Sequence, residues 1–513
     1  MKENGTSQSQ QRNLRCEQNE LLLDELDGYL DKNIDQMMHH LDALVRVESV
    51  FAPDQACFDA PFGPGPKQAL DVACGIARDL GFPTGNCDGY AAFADYPLHS
   101  REDALRDSAK KQEEFCPTDA LNEEDARNAP GEYVIVAHVD VVPAGEGWGF
   151  PPYQLTSTEG FLVGRGVADD KGALVAVLHA CNFWRQRGRR FPHSLRVLFG
   201  ANEEEGMADV AHYLSVCDPP RFAFTPDGQF PVCYGEKGCY DGIISSAGMP
   251  DGRIIDIEAG DVVNAVPGKA HALLRISQSE AGSLPAYDGI TIEWIDDETL
   301  RVNAIGRAAH AATPEEGLSA LRILADYLVD SNLLAGDEKA FFRFLCDKAC
   351  ESDGSGVGLA THDDDFGNLT LVCGMIEKEQ QHYVVTVDCR YPRGVTGQII
   401  TECLQNASAQ VGATCSRLFS KDPLFVDPCL AEMRALLSAY RAVSGDMRPP
   451  FVSGGITYAS EFPYAVSFGP KKPQLHVPDW VGTPHGPNEA LSEELFKESF
   501  KVYALAIKNL MEL

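Results

Sequence analysis

The apolar run Val134-Ile135-Val136-Ala137 stops abruptly at His138-Val139-Asp140. Four consecutive apolar residues predict a strand buried on both faces, placed over 132–137. Upstream, apolar residues at 22, 26, 30, 34, 37, 41 and 44 recur with helical spacing and predict an amphipathic helix over Leu21–Val47. A second helix is predicted over Lys67–Leu80, opened by Pro66 and stopped by Gly81. Beyond the 132–137 strand the pattern alternates: helix 171–187, strand 194–200, helix 207–216, strand 221–225. Such alternation predicts an α/β sheet with helices packed on it.

From about Gly238 the grammar changes. Strand-like runs follow one another closely at Asp241–Ser246, Ala270–Ile276, Thr291–Ile295 and Leu300–Ile305. Helices near 317–332 and 337–351, strands at 369–376 and 383–390, and a helix over 396–410 complete an α+β unit. After Asp422, helices at Ala431–Ala442 and Ser492–Leu510 return to the first style. The predicted organisation is a loose polar tail over 1–19, an α/β domain in two parts (20–237 and 423–513), and an inserted α+β domain over 238–422. Within the first part, 101–130 is charged and poor in large apolar residues, and reads as a surface insertion.

A chain of 513 residues exceeds one compact core, in keeping with two domains. Its formal net charge of −33 disfavours nucleic acid or an anionic membrane as partner. The 16 cysteines form no CxxC pair, and no secretory leader precedes them, which predicts reduced thiols in a cytoplasmic protein. No apolar run is long enough for a membrane span.

Candidate chemistry lies at the ends of the predicted strands. His138 and Asp140 share one face of their strand, a metal-ligand histidine beside an orienting carboxylate. Gly164-Arg165-Gly166 leads to Asp169-Asp170-Lys171-Gly172 at a helix start. The strand over 194–200 runs into Asn202-Glu203-Glu204-Glu205-Gly206, and Asp227 follows another strand. His485 lies in the loop Pro484-His485-Gly486-Pro487-Asn488-Glu489. Strand ends and loops are where α/β proteins place their sites. Histidines 39 and 40 are read as surface or packing residues, and those at 179, 193, 212, 271, 362, 382 and 476 as structural.

In this order, HVDVVPAGEGW, GRGVADDKG, NEEEG, FTPDGQFP with GEKG, NAVP, GRAAHAATPEEG, DCRYP, SGGITYA and HGPNE resemble the co-catalytic zinc peptidase family. That family includes carnosinases, aminoacylases, succinyl-diaminopimelate desuccinylases and glutamate carboxypeptidases, and the similarity is greatest to the bacterial dipeptidase V type. The resemblance implies a zinc-peptidase catalytic domain, with a mixed sheet flanked by helices, and an inserted α+β lid. It implies two divalent ions: His138 and Asp227 on one, Glu204 and His485 on the other, and Asp169 bridging, with a cis peptide after Asp169. Asp140 would orient His138, and Glu203 would be the general base. In the lid, His310 would face the oxyanion with Asn264 as helper. Arg390 and the backbone of Gly454-Gly455 would hold a substrate carboxylate. Glu205 and Pro487 depart from the more usual small residues at their positions.

Two ions sharing one carboxylate can acidify a water between them. One histidine with carboxylate oxygens per ion suits zinc, with manganese or cobalt as alternatives. The expected activity is that of a monomeric, cytoplasmic metallo-dipeptidase acting on dipeptides. An N-acyl amino acid amidohydrolase or a carboxypeptidase of the same family is the alternative.

Overall fold

The computed structural model describes residues 3–96 and 131–513, with side chains from residue 20 onward. The charged 101–130 segment lies outside the described residues. The chain divides into two compact units: residues 1–234, 426–451 and 457–513 form the first, and 235–425 with 452–456 form the second. The second unit is thus discontinuous, and the short segment 452–456 belongs to it rather than to the flanking part of the chain.

The first unit is built on a mixed sheet. Its strands run in the order Thr84–Cys87, Ala91–Asp95, Ser194–Gly200, Glu132–His138, Phe222–Thr225 and Ala465–Ser467. The last four pair parallel; the first two add antiparallel. Tyr133 through His138 are all buried, as the unbroken apolar run requires of a central parallel strand. The helix Lys171–Gln186 packs with the first helix and with the C-terminal helix Glu493–Met511. The first helix spans Glu3–Val45, so the polar segment read as a tail is helical from Glu3. Its buried stripe includes Leu22, Leu26, Leu30, Met37, Leu41 and Leu44.

Helix packing also accounts for Lys171 and for two of the histidines. Lys171, fully buried, donates to the carbonyls of Leu44 and Val47 (3.0 Å each) and so caps the end of the first helix. His40 is buried: its Nδ1 lies 3.0 Å from His179 Nε2, and His179 Nδ1 lies 2.9 Å from the Tyr29 hydroxyl. Burial, with His40 beside it, pulls the His179 imidazole down to about 3.

The second unit is a sheet of antiparallel strands in the order Ile290–Asp296, Thr299–Ile305, Lys269–Arg275, Ile254–Ala259, Thr370–Glu379, His382–Tyr391, Gly238–Ser245 and Thr414–Lys421. The helices Ala320–Asp330 and Gly397–Ala409 bury Leu321, Leu324, Leu328, Ile400 and Leu404 in its core. Among the described residues no helix is long and apolar enough to cross a membrane.

Candidate metal centre

The parallel strands of the first unit deliver the candidate residues to one edge. His138 ends its strand in register with Gly200, and Val139 donates to the Gly200 carbonyl at 2.9 Å. Glu203 and Glu204 follow Gly200 in a loop. Asp227 lies two residues beyond Thr225, where its strand ends. This edge is the carboxyl end of the parallel strands, as expected for an α/β site.

The loop carrying Glu203 and Glu204 is tied down by the buried Asp209, which accepts from the Ala201 and Asn202 N–H groups (2.5 and 2.9 Å) and from the Tyr458 hydroxyl. These contacts explain Gly200: a Cβ there would meet the Tyr458 oxygen at 1.9 Å and Asp209 Oδ2 at 2.6 Å. His138 Nδ1 lies 3.0 Å from the Asp140 carbonyl and 3.5 Å from its carboxylate. The nearer orienting contact of Asp140 is therefore its backbone, while its carboxylate accepts from the Glu204 N–H.

The donor atoms of His138, Glu203 and Asp227 lie within 4.8 Å of one another, and so do those of His138, Asp169 and Glu204. His485 Nε2 is 3.1 Å from Glu204 Oε2 and 3.6 Å from Asp169 Oδ2. The structure thus gathers His138, Asp140, Asp169, Glu203, Glu204, Asp227 and His485 into one cluster. Buried carboxylates and two histidines at this density fit a divalent cation, since carboxylates packed together need compensating positive charge. The fully buried Asp170 carboxylate beside them has no hydrogen-bond partner among the described residues. The Asp169–Asp170 peptide is cis.

Burial pushes the Glu203 carboxyl well above the usual carboxylate range; His138 opposes this, and Asp227, Glu204 and Asp169 add to it. A carboxylate with raised proton affinity among potential ligands is suited to taking a proton.

Three supporting residues were not singled out by sequence reasoning. Glu489 and Arg165, each 1% exposed, form an ion pair at 2.7 Å. Glu489 also accepts from the N–H groups of Gly166, Ala168 and Asp169 (3.0, 2.9 and 3.2 Å), and Arg165 donates to the His485 carbonyl at 3.0 Å. One pair therefore fixes the backbone of Asp169 and of His485, whose φ of +66° is uncommon outside glycine. Both residues lie inside the GRG and HGPNE motifs, so the signal was present. The third is Lys471, whose Nζ pairs with Asp169 and Asp227; nothing in its sequence context marks it.

Asn264, His310, Arg390, Gly454 and Gly455 belong to the second unit. His310 sits opposite Ala265 in a two-residue pairing, and Ala311 N–H donates to the Asn264 carbonyl at 2.9 Å. The Ala312 N–H donates to His310 Nδ1 at 3.1 Å, which leaves the proton of the neutral ring on Nε2. Burial and then Arg390 lower the His310 pKa, favouring that neutral form. Gly454 passes close to this loop: a Cβ on it would meet that of Ala312 at 2.4 Å. The Arg390 Nε and Nη2 donors are engaged by Asp388 at 2.9 and 2.6 Å, and Nη1 reaches the Gly454 carbonyl at 3.4 Å. The Gly455 N–H is taken by Ser453 Oγ at 3.0 Å.

A protein named "Putative dipeptidase" from Staphylococcus aureus (strain MRSA252) is 27% identical over 491 residues, which is 93% of this chain and 97% of that protein. Among solved structures, human carnosine dipeptidase 1 aligns with a TM-score of 0.53 at 15% identity, covering 96% of this chain and 100% of its own. The di-peptidase Dug1p of Saccharomyces cerevisiae aligns with a TM-score of 0.53 at 14% identity, over 95% of this chain and 98% of its own. At such identities these two speak for the mixed α/β fold alone. The sequence profile of peptidase family M20/M25/M40 matches residues 134–509, which contain every residue of the cluster, so the chain belongs to that family and is a peptide hydrolase.

Proposed function

We propose that the chain is a metal-dependent dipeptidase working with two divalent ions, zinc being best suited and manganese or cobalt also compatible with the donors. The observation that carries this reading is the cluster of His138, Asp169, Glu203, Glu204, Asp227 and His485 at one sheet edge, inside the stretch matched by the peptidase family. The relative named as a dipeptidase, aligned over nearly its whole length, supports the substrate class.

In this reading His138 and Asp227 would hold one ion and Glu204 and His485 the other, with Asp169 available to both. Ions bound there would supply an acidified water and a positive charge facing the substrate carbonyl. Glu203, beside the candidate ligands, would take a proton from the attacking water and return it to the departing amine. Asp140 holds His138 and the Glu204 loop together. Neutral His310, protonated on Nε2, donates to the developing oxyanion with Asn264 as helper. Arg390 presents its Nη1 side to the substrate carboxylate while Asp388 holds its other edge, with the Gly454-Gly455 segment alongside. The second unit serves as a lid, and a monomeric, cytoplasmic chain supplies its own His310.

The test is turnover of dipeptides, pentapeptides and N-acyl amino acids before and after chelation. Dipeptides should be cleaved, pentapeptides hardly at all, and chelation should abolish activity until divalent metal is restored. Activity in a sample proved metal-free by elemental analysis would overturn the reading. Turnover of N-acyl amino acids alone would replace it with amidohydrolysis. Mixing inactive Glu203→Ala and His310→Ala proteins tests the origin of His310: no recovery is expected when it acts within its own chain.

A further inference from the structure

We infer that Asp241 is a positioning residue for Arg390: together with Asp388 it sets the charge that Arg390 presents to a substrate carboxylate; this rests on the reading of Arg390 as the group that holds that carboxylate.

The strands Gly238–Ser245 and His382–Tyr391 pair antiparallel, with Cys239 opposite Arg390 and Asp241 opposite Asp388. Opposed residues and every second residue share one face of a sheet, so these four side chains lie together. Asp388, 1% exposed, grips Arg390 as a fork: Nε donates to Oδ1 at 2.9 Å and Nη2 to Oδ2 at 2.6 Å. One guanidinium thus already neutralises one carboxylate. Half-buried Asp241 brings a second, since carboxylate oxygens of Asp241 and Asp388 and the Cys239 sulfur all lie within 4.8 Å of one another.

With Asp241 ionised, two carboxylates face one guanidinium, and an incoming substrate carboxylate meets the excess negative charge. With Asp241 protonated, the group is neutral and its O–H donates to Asp388. Burial, and then Asp388, push the Asp241 carboxyl up to about 6 against the opposing pull of Arg390. The excess charge is therefore present above pH 6 and removed below it.

The other groups around Asp241 come from three directions. On its own strand, burial pushes the Cys239 thiol up to about 12, so it stays uncharged. The strand Thr414–Lys421 places Phe419 opposite Asp241 and Lys421 opposite Cys239. His310 lies within electrostatic reach of Arg390 and Asp388. The helix Gly397–Ala409 packs on the other face, where the Thr401 hydroxyl donates to the Tyr240 hydroxyl at 3.3 Å.

The test compares a dipeptide with its C-terminal amide on the metal-loaded enzyme from pH 5.5 to pH 8, reading KM for the acid and KM or Ki for the amide. The amide lacks the anion, and the ratio of the two constants cancels ionisations at the metal centre that both ligands feel. In wild type the acid-to-amide ratio should rise by about three- to tenfold as pH increases through 6. Asp241→Asn keeps a donor toward Asp388 without the charge; its ratio should stay at the low-pH value, the change falling on KM rather than kcat. A flat ratio in wild type would overturn the inference whether or not the variant folds. The same rise in a folded variant would overturn it too and move the titration to His310. Arg390→Met tests the underlying reading, and should raise KM for the acid but not the constant for the amide. An equal effect on both ligands would overturn that reading, and the inference with it.

Discussion

The Glu204 backbone N–H donates to the Asp140 carboxylate at 3.1 Å, across a sequence separation of 64 residues. Asp140 therefore joins the strand that ends in His138 to the loop that presents Glu203 and Glu204. An Asp140→Ala protein should lose metal affinity by about 10- to 100-fold, as removal of residues supporting metal ligands typically does. Competitive zinc titration checks this, and unchanged affinity would remove Asp140 from its positioning role.

Replacing the proposed base separates proton transfer from metal binding. Glu203→Ala should lower kcat by about 10²- to 10⁴-fold while elemental analysis finds the wild-type metal content. Loss of an ion from this variant would make Glu203 a ligand, a role its grouping with His138 and Asp227 also permits.

The Arg165–Glu489 pair is the main buried ion pair behind the centre. Glu489→Ala leaves the Arg165 charge buried and releases three backbone N–H groups, so a stability loss of about 3–5 kcal/mol is expected, measured by urea unfolding. A double Arg165→Leu, Glu489→Leu protein should lose less stability than Glu489→Ala. Equal losses would mean that the freed N–H groups, rather than the stranded charge, set the cost.

His179 gives the first unit a pH dependence. Its folded pKa of about 3 lies below the ordinary histidine value of 6.5, so between these limits the unfolded chain binds the extra proton. Stability contributed by neutral His179 is full above pH 6.5 and is lost as pH falls toward 3. From pH 6.5 to pH 5 the loss is about 2 kcal/mol. Thermal melts should show a larger drop in Tm over this range for wild type than for His179→Gln; parallel shifts would contradict the assignment.

The legibility of the sequence followed burial. The strand Glu132–His138 and the helix Lys171–Gln186 announce themselves because nearly every residue is apolar and buried. The strands Thr84–Cys87, at the sheet edge, and Ala91–Asp95, between it and Ser194–Gly200, were missed: both are short and rich in small residues, with little pattern to read. Thr414–Lys421 was missed for a related reason, being an edge strand with a largely exposed run. Helix 337–351 was read as one element, but it ends at Phe344 and continues as a π-helical turn over Leu345–Ala349. The clustered candidate residues were legible through motif order, since each strand end carries its own signature. Lys471 was not, because its ion pairs depend on where the chain runs after the strand Ala465–Ser467.

The split of the second unit across the sequence bears on how fragments of this protein can be made. A piece cut at Phe425 would carry His310 and Arg390 but lack Val452–Ile456. It would then have neither the Gly454 carbonyl that receives Arg390 nor the glycine backbone packed against Ala312. The surroundings of His310 and Arg390 are encoded partly downstream of a helix, Ala431–Ser444, that belongs to the other unit. An isolated second unit therefore needs residues 452–456 grafted back through an artificial connector, and swapping this unit between relatives requires exchanging two separate stretches together.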